Sequence, residues 1–501
     1  MIMPAFEDFA EAYSNERACL VRTALIGDLL TPVAAFLKLR QVATGPAFLL
    51  ESVEGGAVRG RYSMIGLNPD LIWRCSTGQA SLQRGDGPPR DEMLPPLESL
   101  RALIAESALP DEPDTPPMAA GLFGYLGYDM VRQMERLPAP NPDVLEVPDA
   151  VLIRPTVMVV FDAVKDEVSL ITPVRPRAGL GAKAAYEAAL ERLDAVTAAL
   201  ERPLPFEEPT NAAAFRFEAP VSNTSPAEYR GMVERAKEYI RAGDVFQVVL
   251  SQRFETDFTL PAFALYRSLR RINPAPFLCY LDFEEFQIVC SSPEILVRVR
   301  DGTVTIRPIA GTRPRGATPT EDRAHAESLL ADEKERAEHL MLLDLGRNDV
   351  GRVASYGTVT VTDSFFLEFY SQVMHIVSNV EGRLKEGCDA LDALVAGFPA
   401  GTVSGAPKVR AMEIIDELEK DKRGPYAGCI GYFGANGEMD TCIVLRTAVV
   451  KDGRMFVQAG AGIVHDSDPT SEQTECINKA KALFRAAEDA VRFASRASFG
   501  Q

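Results

Sequence analysis

Histidine and tryptophan are scarce in this 501-residue chain, with four of the first and one of the second. The eight cysteines, at positions 19, 75, 279, 290, 388, 429, 442 and 476, stand singly, with no C-x-x-C pair and no histidine at zinc-ligand spacing. That argues against a zinc ribbon or a disulfide framework and predicts reduced, mostly buried thiols. Cations are outnumbered: 53 Lys and Arg face 71 Asp and Glu, a net charge of −18. Such a surface repels nucleic acid and anionic membrane, so neither is expected as a partner, and an anionic substrate needs a local cationic pocket or a bound metal. No apolar run is long enough to span a bilayer; the most apolar stretch, 151–161, is broken by Arg154 and Pro155. Glu7, Asp8 and Glu11 stand where a secretory leader needs basic residues, so the expected location is cytoplasmic.

What remains is an ordinary globular composition, 46% hydrophobic and 25% charged, at a length that carries about three domains' worth of chain. Residues 20–200 alternate short β-like runs, Ala47 to Leu50 and Val157 to Phe161 among them, with turn-rich spacers, and end in a helical stretch at 181–201. From Arg202 to Ser225 the composition turns to Pro, Glu, Asn and Ala without periodicity, marking a seam between a 1–220 region and a 225–490 region. Ser225-Pro226-Ala227-Glu228 predicts a helix start, with Ser at the N-cap, Pro in the first turn and Glu closing a capping box; Gly243 ends that helix. Strands and helices then alternate to about residue 490, which favours a mixed α/β class. The segments G-L-F-G-Y-L-G-Y (121–128) and G-C-I-G-Y-F-G (428–434) echo one another and read as strands whose glycines permit close backbone approach.

Residues 307–316 read R-P-I-A-G-T-R-P-R-G: Pro308 and Pro314 fix φ, Gly311 permits a left-handed turn, and Arg307, Arg313 and Arg315 have no acid among them. This suggests an anion pocket, with a basic surface turn as the alternative. The glycine turns at 399–408 and 458–464 fail the Walker and dinucleotide patterns but could present backbone N–H groups to carboxylates. Glu335, Glu338 and His339 precede a Leu340 to Leu345 run that marks a mostly buried helix. A second helix opening at Asp468-Pro469 carries Glu472, Glu475 and Lys479 along one stripe. Carboxylates from two such helices could share one hard cation, or be solvated helix charges. Glu294, between Pro293 and Ile295, is either a desolvated acid or a strand-end carboxylate, and His375, in V-M-H-I-V-S, is by default a core histidine.

The decapeptide, E-H-L-M-x-x-D-L-x-R-N-D (338–349), G-P-Y-A-G around Tyr426, L-R-T-A around Arg446 and E-x-x-E-x-x-N-K (472–479) occur in order. Together they resemble the chorismate-utilising enzymes, and most narrowly anthranilate synthase component I, over roughly residues 45–485. That resemblance implies a mixed α/β (α+β) fold of two β-sheets packed in a central sandwich with helices outside. In it a 1–220 regulatory and structural region interleaves with a 225–490 chorismate-binding catalytic region. It implies conversion of chorismate and ammonia into anthranilate and pyruvate, with Mg²⁺ at Glu338 and Glu475. Glu294, His375 and Thr402 fall on catalytic positions. Gly311, Thr312, Tyr426, Arg446, Gly460, Ala461, Gly462 and Lys479 fall on substrate contacts. Ser52, Pro276, Phe277 and Leu278 fall on a tryptophan inhibitor site, where the family often carries Met at position 278. Relatives that make aminodeoxychorismate carry Lys where Ala310 stands, and isochorismate and salicylate synthases carry Lys where Gln247 stands. No G-x-C-x-G-x-Q-like glutaminase segment is present, so ammonia is expected from a separate glutamine amidotransferase subunit in a hetero-oligomer. A catalytically dead tryptophan-sensing scaffold is the rival of another class, and the presence of Glu294, Glu338, His375 and Glu475 argues against it.

Overall fold

Strands Val58–Ser76 and Ala150–Asp162 run antiparallel from Tyr62 opposite Asp162 to Cys75 opposite Ala150, and their ladder slips between Pro69 and Leu71. Pro69 has no N–H to give the ladder, so the pair bends there and its two halves feed different layers. A computed structural model describes residues 2–54, 58–110, 115–116, 118–205, 217–370 and 373–494. Among the described residues every ladder between strands is antiparallel, the α+β form of the expected mixed class.

From one side of the bent pair the first layer continues through Ala47–Glu54, Phe277–Asp282, Gln287–Ser292, Thr447–Lys451, Arg454–Ile463 and Gln247–Asp257. From the other side the second layer runs through Gly121–Leu126, Cys429–Gly434, Met439–Ile443, Ile295–Arg300, Thr303–Ile306 and Val373–Arg383. Phe48, Met64, Cys279 and Ile288 of the first layer share one buried cluster with Phe123, Ile430 and Cys442 of the second. Phe48 and Phe123 stack across it with ring centroids 4.7 Å apart, a contact that contributes about 1 kcal/mol beyond area burial.

Helices close the outer faces. Ala182–Glu201, Ala262–Ile272 and Pro469–Ala494 bring Leu193, Leu265 and Leu483 to one outer cluster, while Pro226–Ala242, Ala390–Gly397 and Lys408–Leu418 supply another. The result is the sandwich with helices outside that the resemblance implied. The Ser225 capping box forms as read, and Gly243 ends that helix at φ 86°. Residues 206–216 of the aperiodic stretch lie outside the described residues.

The two glycine-rich echoes turn out to be ladder partners, Gly124 opposite Gly431 and Gly121 opposite Gly434. A Cβ at Gly124 would stand 2.0 Å from the Val151 carbonyl oxygen, and one at Gly431 2.0 Å from that of Asp440. Only glycine lets these backbones come so close. No helix among the described residues is long and apolar enough to cross a membrane.

Candidate active site

Pro293 and Glu294 form the corner where strand Gln287–Ser292 crosses into Ile295–Arg300. The Glu294 carbonyl accepts from the Ile443 N–H at 3.0 Å, which fixes the corner against the neighbouring strand. Its carboxyl is buried and faces the turn Gly401–Val403, whose Thr402 hydroxyl donates to Oε1 at 3.0 Å. Burial pushes the acid up to about 8, outweighing the Thr402 hydrogen bond and the positive fields of Arg446 and Lys479. Near neutral pH this residue is a proton donor, so the desolvated reading of Glu294 holds over the surface one.

His375 lies on strand Val373–Arg383 opposite Thr312 of strand Ile309–Pro314. That ladder slips at Gly311, whose φ of +76° turns its carbonyl toward the imidazole. His375 Nδ1 is 3.1 Å from the Gly311 oxygen and 3.0 Å from the Thr312 hydroxyl. A carbonyl can only accept, so Nδ1 carries the proton and the Nε2 lone pair is left for a ligand. Burial pulls this imidazole down to about 4, with the fields of Arg446 and Lys479 acting in the same direction. Two groups that feel the same two cations are therefore driven apart, one protonated and one neutral at pH 7.

Arg446 departs from the usual backbone at φ 50° and is half-buried. Among the described residues its guanidinium has no hydrogen-bond or ion-pair partner, and burial lowers its pKa while Tyr426, Glu475 and Glu294 pull it back. A desolvated guanidinium without a carboxylate fits an anionic ligand. Beside it, strand Arg454–Ile463 pairs with Gln247–Asp257, setting Gly460 opposite Ser251 and Gly462 opposite Val249. The Ser251 N–H goes to Glu419 at 2.8 Å and the Val249 N–H to the Ser404 carbonyl at 2.9 Å, so neither bonds its ladder partner. The polar groups of Gly460 and Gly462 therefore point off the free edge, and those of Ala461 point toward Leu250. Consistently, the Gly460 carbonyl accepts from Lys479 Nζ at 2.9 Å. A Cβ at Gly460 would stand 2.8 Å from the Tyr426 hydroxyl, and one at Gly462 would stand 2.5 Å from Gln247 Nε2, so both side chains rely on the missing methyls.

The three arginines of the 307–316 segment do not form the anion pocket that their local isolation from acids suggested. Arg307 pairs with Glu368 at 2.5 Å, Arg313 with Asp332 at 2.7 Å and Glu335 at 3.2 Å, and Arg315 with Asp322 at 2.7 Å. Their acids arrive from later elements, whereas Arg446 has no such partner among the described residues. Lys408 of the rejected Walker-like turn pairs with Asp349 at 3.0 Å.

Glu338 on helix Glu333–Val353 and Glu475 on helix Pro469–Ala494 face one another closely enough to interact. Burial, then the charges of Glu335 and Glu475, push Glu338 above its ordinary range. Glu472 is raised as well, by burial and, beyond it, by Glu475. Glu475 also pairs with Lys479 at 2.7 Å. Excess negative potential on hard oxygens from two helices fits a divalent cation of the Mg²⁺ type. No three of these oxygens gather within 4.8 Å among the described residues, so the protein offers an open pair of carboxylates rather than a closed cage. Leu340 is exposed, whereas His339 beside it is fully buried, its Nε2 2.6 Å from Ser378 Oγ.

Ser52 stands opposite Phe277, and Glu51 opposite Leu278, on strands Ala47–Glu54 and Phe277–Asp282, with Pro276 immediately before the second. Glu51 is held by Arg270 at 2.6 Å and by the Tyr266 hydroxyl at 2.5 Å. The four residues matched to an inhibitor site are thus gathered in one place. Strand Phe277–Asp282 also pairs with Gln287–Ser292, which leads into Glu294.

Sequence reasoning passed over Glu419 and Arg423. Arg423 is buried and donates to Val249 O and Val403 O at 2.7 Å each and to Glu419 at 2.6 Å, while Glu419 accepts from both N–H and hydroxyl of Ser251. The pair ties the glycine edge's partner strand to the turn that carries Thr402. In E-L-E-K-D-K-R (417–423) the charges look like a solvated face, and only the i,i+4 spacing of Glu419 and Arg423 hints otherwise.

Known proteins resemble this chain over nearly its whole length. The family model described as chorismate binding enzyme matches residues 46–485. Anthranilate synthase component 1 of Cereibacter sphaeroides is 57% identical over 99% of this chain and 100% of its own length. That of Thermus thermophilus is 48% identical over 94% of this chain and 98% of its own. The crystal structure of anthranilate synthase component I from Streptococcus pneumoniae superposes with a TM-score of 0.75 at 39% identity, covering 92% of this chain and 99% of that one. The menaquinone-specific isochorismate synthase of Escherichia coli, with a TM-score of 0.71 at 19% identity over 96% and 98% of the two chains, shares the fold. Matched by the family model over most of its length and by relatives up to 57% identical across nearly all of it, the chain belongs to the chorismate-binding enzyme family, in its anthranilate synthase component I branch.

Proposed function

We propose that this chain converts chorismate and ammonia into anthranilate and pyruvate through 2-amino-2-deoxyisochorismate, acting as a carbon–oxygen lyase at the first committed step of tryptophan biosynthesis in the cytoplasm. The observation that carries the reading is that Glu294 and His375 both lie in the fields of Arg446 and Lys479 while burial raises the acid to about 8 and lowers the imidazole to about 4. Arg446 and the free-edge N–H groups of Gly460 and Gly462 suit the carboxylates of a dianion. Gly311 and Thr312 set the imidazole, Tyr426 borders the glycine edge, and Lys479 adds positive charge there.

In the first half-reaction ammonia adds at ring carbon C2 while Glu294 gives its proton to the C4 hydroxyl, which leaves as water. In the second, His375 Nε2 takes the C2 proton, the C3–O bond to the enolpyruvyl group breaks, and the enolate collects a proton to become pyruvate as the ring turns aromatic. Glu338 and Glu475 would hold Mg²⁺, which supplies positive charge against a substrate carboxylate. Ala310 offers no amine to attack the ring and Gln247 no base to activate water, which favours free ammonia as the nucleophile. The name of the relatives, component 1, supports a second component, and a glutamine amidotransferase subunit in a hetero-oligomer would supply the ammonia. Tryptophan would inhibit through Ser52, Pro276, Phe277 and Leu278.

The test is fluorescent anthranilate from chorismate, ammonium and Mg²⁺, titrated with tryptophan. Mg²⁺-dependent product suppressed by tryptophan is expected. Aminodeoxychorismate as product, or tryptophan binding without turnover, overturns the proposal.

A further inference from the structure

Three of the chain's eight thiols meet in the middle of the sandwich. Cys279 and Cys290 are ladder partners on strands Phe277–Asp282 and Gln287–Ser292, and Cys442 approaches from strand Met439–Ile443 of the opposing layer. Their sulfurs all lie within 4.8 Å of one another, and all three residues are buried. No carboxylate or imidazole of the described residues completes the group; Ile288, Ile430, Val444 and Val449 belong to the same buried cluster, and the Thr447 hydroxyl, on the ladder partner of Cys290, is a polar neighbour.

Sulfur ligands without a hard oxygen select soft ions. Zn²⁺ takes four ligands in a tetrahedron, one more than the three sulfurs supply. A monovalent ion with one thiolate and two thiols is neutral, the least costly state at this depth. Three sulfurs at about 2.3 Å from a central ion stand roughly 4 Å apart, inside the observed limit.

We propose that Cys279, Cys290 and Cys442 form a binding site for a soft monovalent cation of the Cu⁺ class, seated between the two layers behind the candidate active site. Binding forms three sulfur contacts to the ion, releases one thiol proton to solvent and changes no oxidation state. Cys442 precedes Ile443, whose N–H holds the Glu294 carbonyl, and Cys290 Sγ donates to the Leu445 carbonyl at 3.7 Å, next to Arg446. An ion here braces the strands that present the acid and the guanidinium.

The experiment titrates reduced, full-length protein anaerobically with Cu⁺ delivered from its bicinchoninate complex and records X-ray absorption at the copper edge. One equivalent retained per chain, a three-sulfur shell at about 2.3 Å and a raised melting temperature are expected. Cys442→Ser should weaken retention by about tenfold or more, while Cys388→Ser, a position remote from the cluster, leaves it unchanged. Should Cys442→Ser fail to fold, Cys279→Ala gives the same reading. Failure to retain an equivalent, a two-sulfur shell, or retention that survives both cluster substitutions overturns the site.

Discussion

The Thr402 hydroxyl donates to Oε1 of Glu294 across 3.0 Å, and among the contacts that favour the charged acid it ranks first, yet burial still wins and leaves the group protonated to about pH 8. Acid strength here is therefore a balance between burial and the donors and cations around the carboxyl, Thr402 first among them, and that balance is open to substitution.

Turnover that needs the protonated acid falls as pH rises through about 8. Thr402→Val removes a donor that stabilises the carboxylate, so the acid becomes weaker and the alkaline limb of the rate profile moves to higher pH. A profile of turnover against pH for the two proteins checks this. A limb that stays in place or moves down shows that Thr402 does not set the acid.

The same shift is visible in stability. An acid whose pKa stands higher folded than unfolded binds its proton more tightly in the native state. Its contribution is whole below about 4.5 and is lost as pH rises from there to about 8. Glu294→Gln has no proton to lose. Relative to the parent it should gain stability across that window, reaching on the order of a few kcal/mol by pH 9 and little at pH 4, as read by urea unfolding at the two pH values.

His375 titrates near 4 in the folded chain against an ordinary 6.5, so it stays a neutral base throughout the working range. Its own contribution to stability runs the other way: present above about 6.5, it is lost as pH falls toward 4. His375→Ala should slow pyruvate release by about 10² or more and ammonia addition far less, so the aminated intermediate accumulates in a quenched time course. If none accumulates, the imidazole does not serve the second half-reaction.

Local signals carried much of this molecule. The Ser225 capping box, the stop at Gly243 and the helix opened by Asp468 and Pro469 all formed, because caps depend on residues three or four apart. The glycine echoes told of close strands without telling that they pair with each other, since register between Gly124 and Gly431 is set by the whole sheet. The arginine segment misled for a related reason. Arg307 meets Glu368 across 61 positions of sequence, so an absence of acids nearby in the chain says nothing about acids nearby in space. Single cysteines gave no hint that three of them converge from two layers. Buried pairs such as Glu419 and Arg423 look like surface charge until the fold encloses them.

Glu475→Gln tests the carboxylate pair. Removing its charge takes away one of the two acids that raise Glu338, so the Glu338 pKa should fall toward its ordinary range while Lys479 loses its ion pair and keeps the Gly460 carbonyl. Mg²⁺-dependent turnover should drop by about 10² with circular dichroism unchanged, and Glu338→Gln should do the same. Full activity in both variants, at limiting Mg²⁺, removes the ligand assignment.

Arg423→Lys separates charge from geometry. The guanidinium reaches Val249 O, Val403 O and Glu419 at once, three directions that a planar fork spans and a single ammonium does not. Lysine keeps the charge beside Glu419 but leaves at least one buried carbonyl without its donor, at a cost of about 1–3 kcal/mol. The carbonyls it releases belong to the strand paired with the Gly460 edge and to the turn holding Thr402, so substrate contacts and the acid's hydroxyl partner loosen together. A rise in KM accompanied by a shifted alkaline limb is therefore expected, beyond any loss of melting temperature. A variant that melts earlier but keeps KM and the position of that limb shows that the buried pair supports the fold without positioning the site.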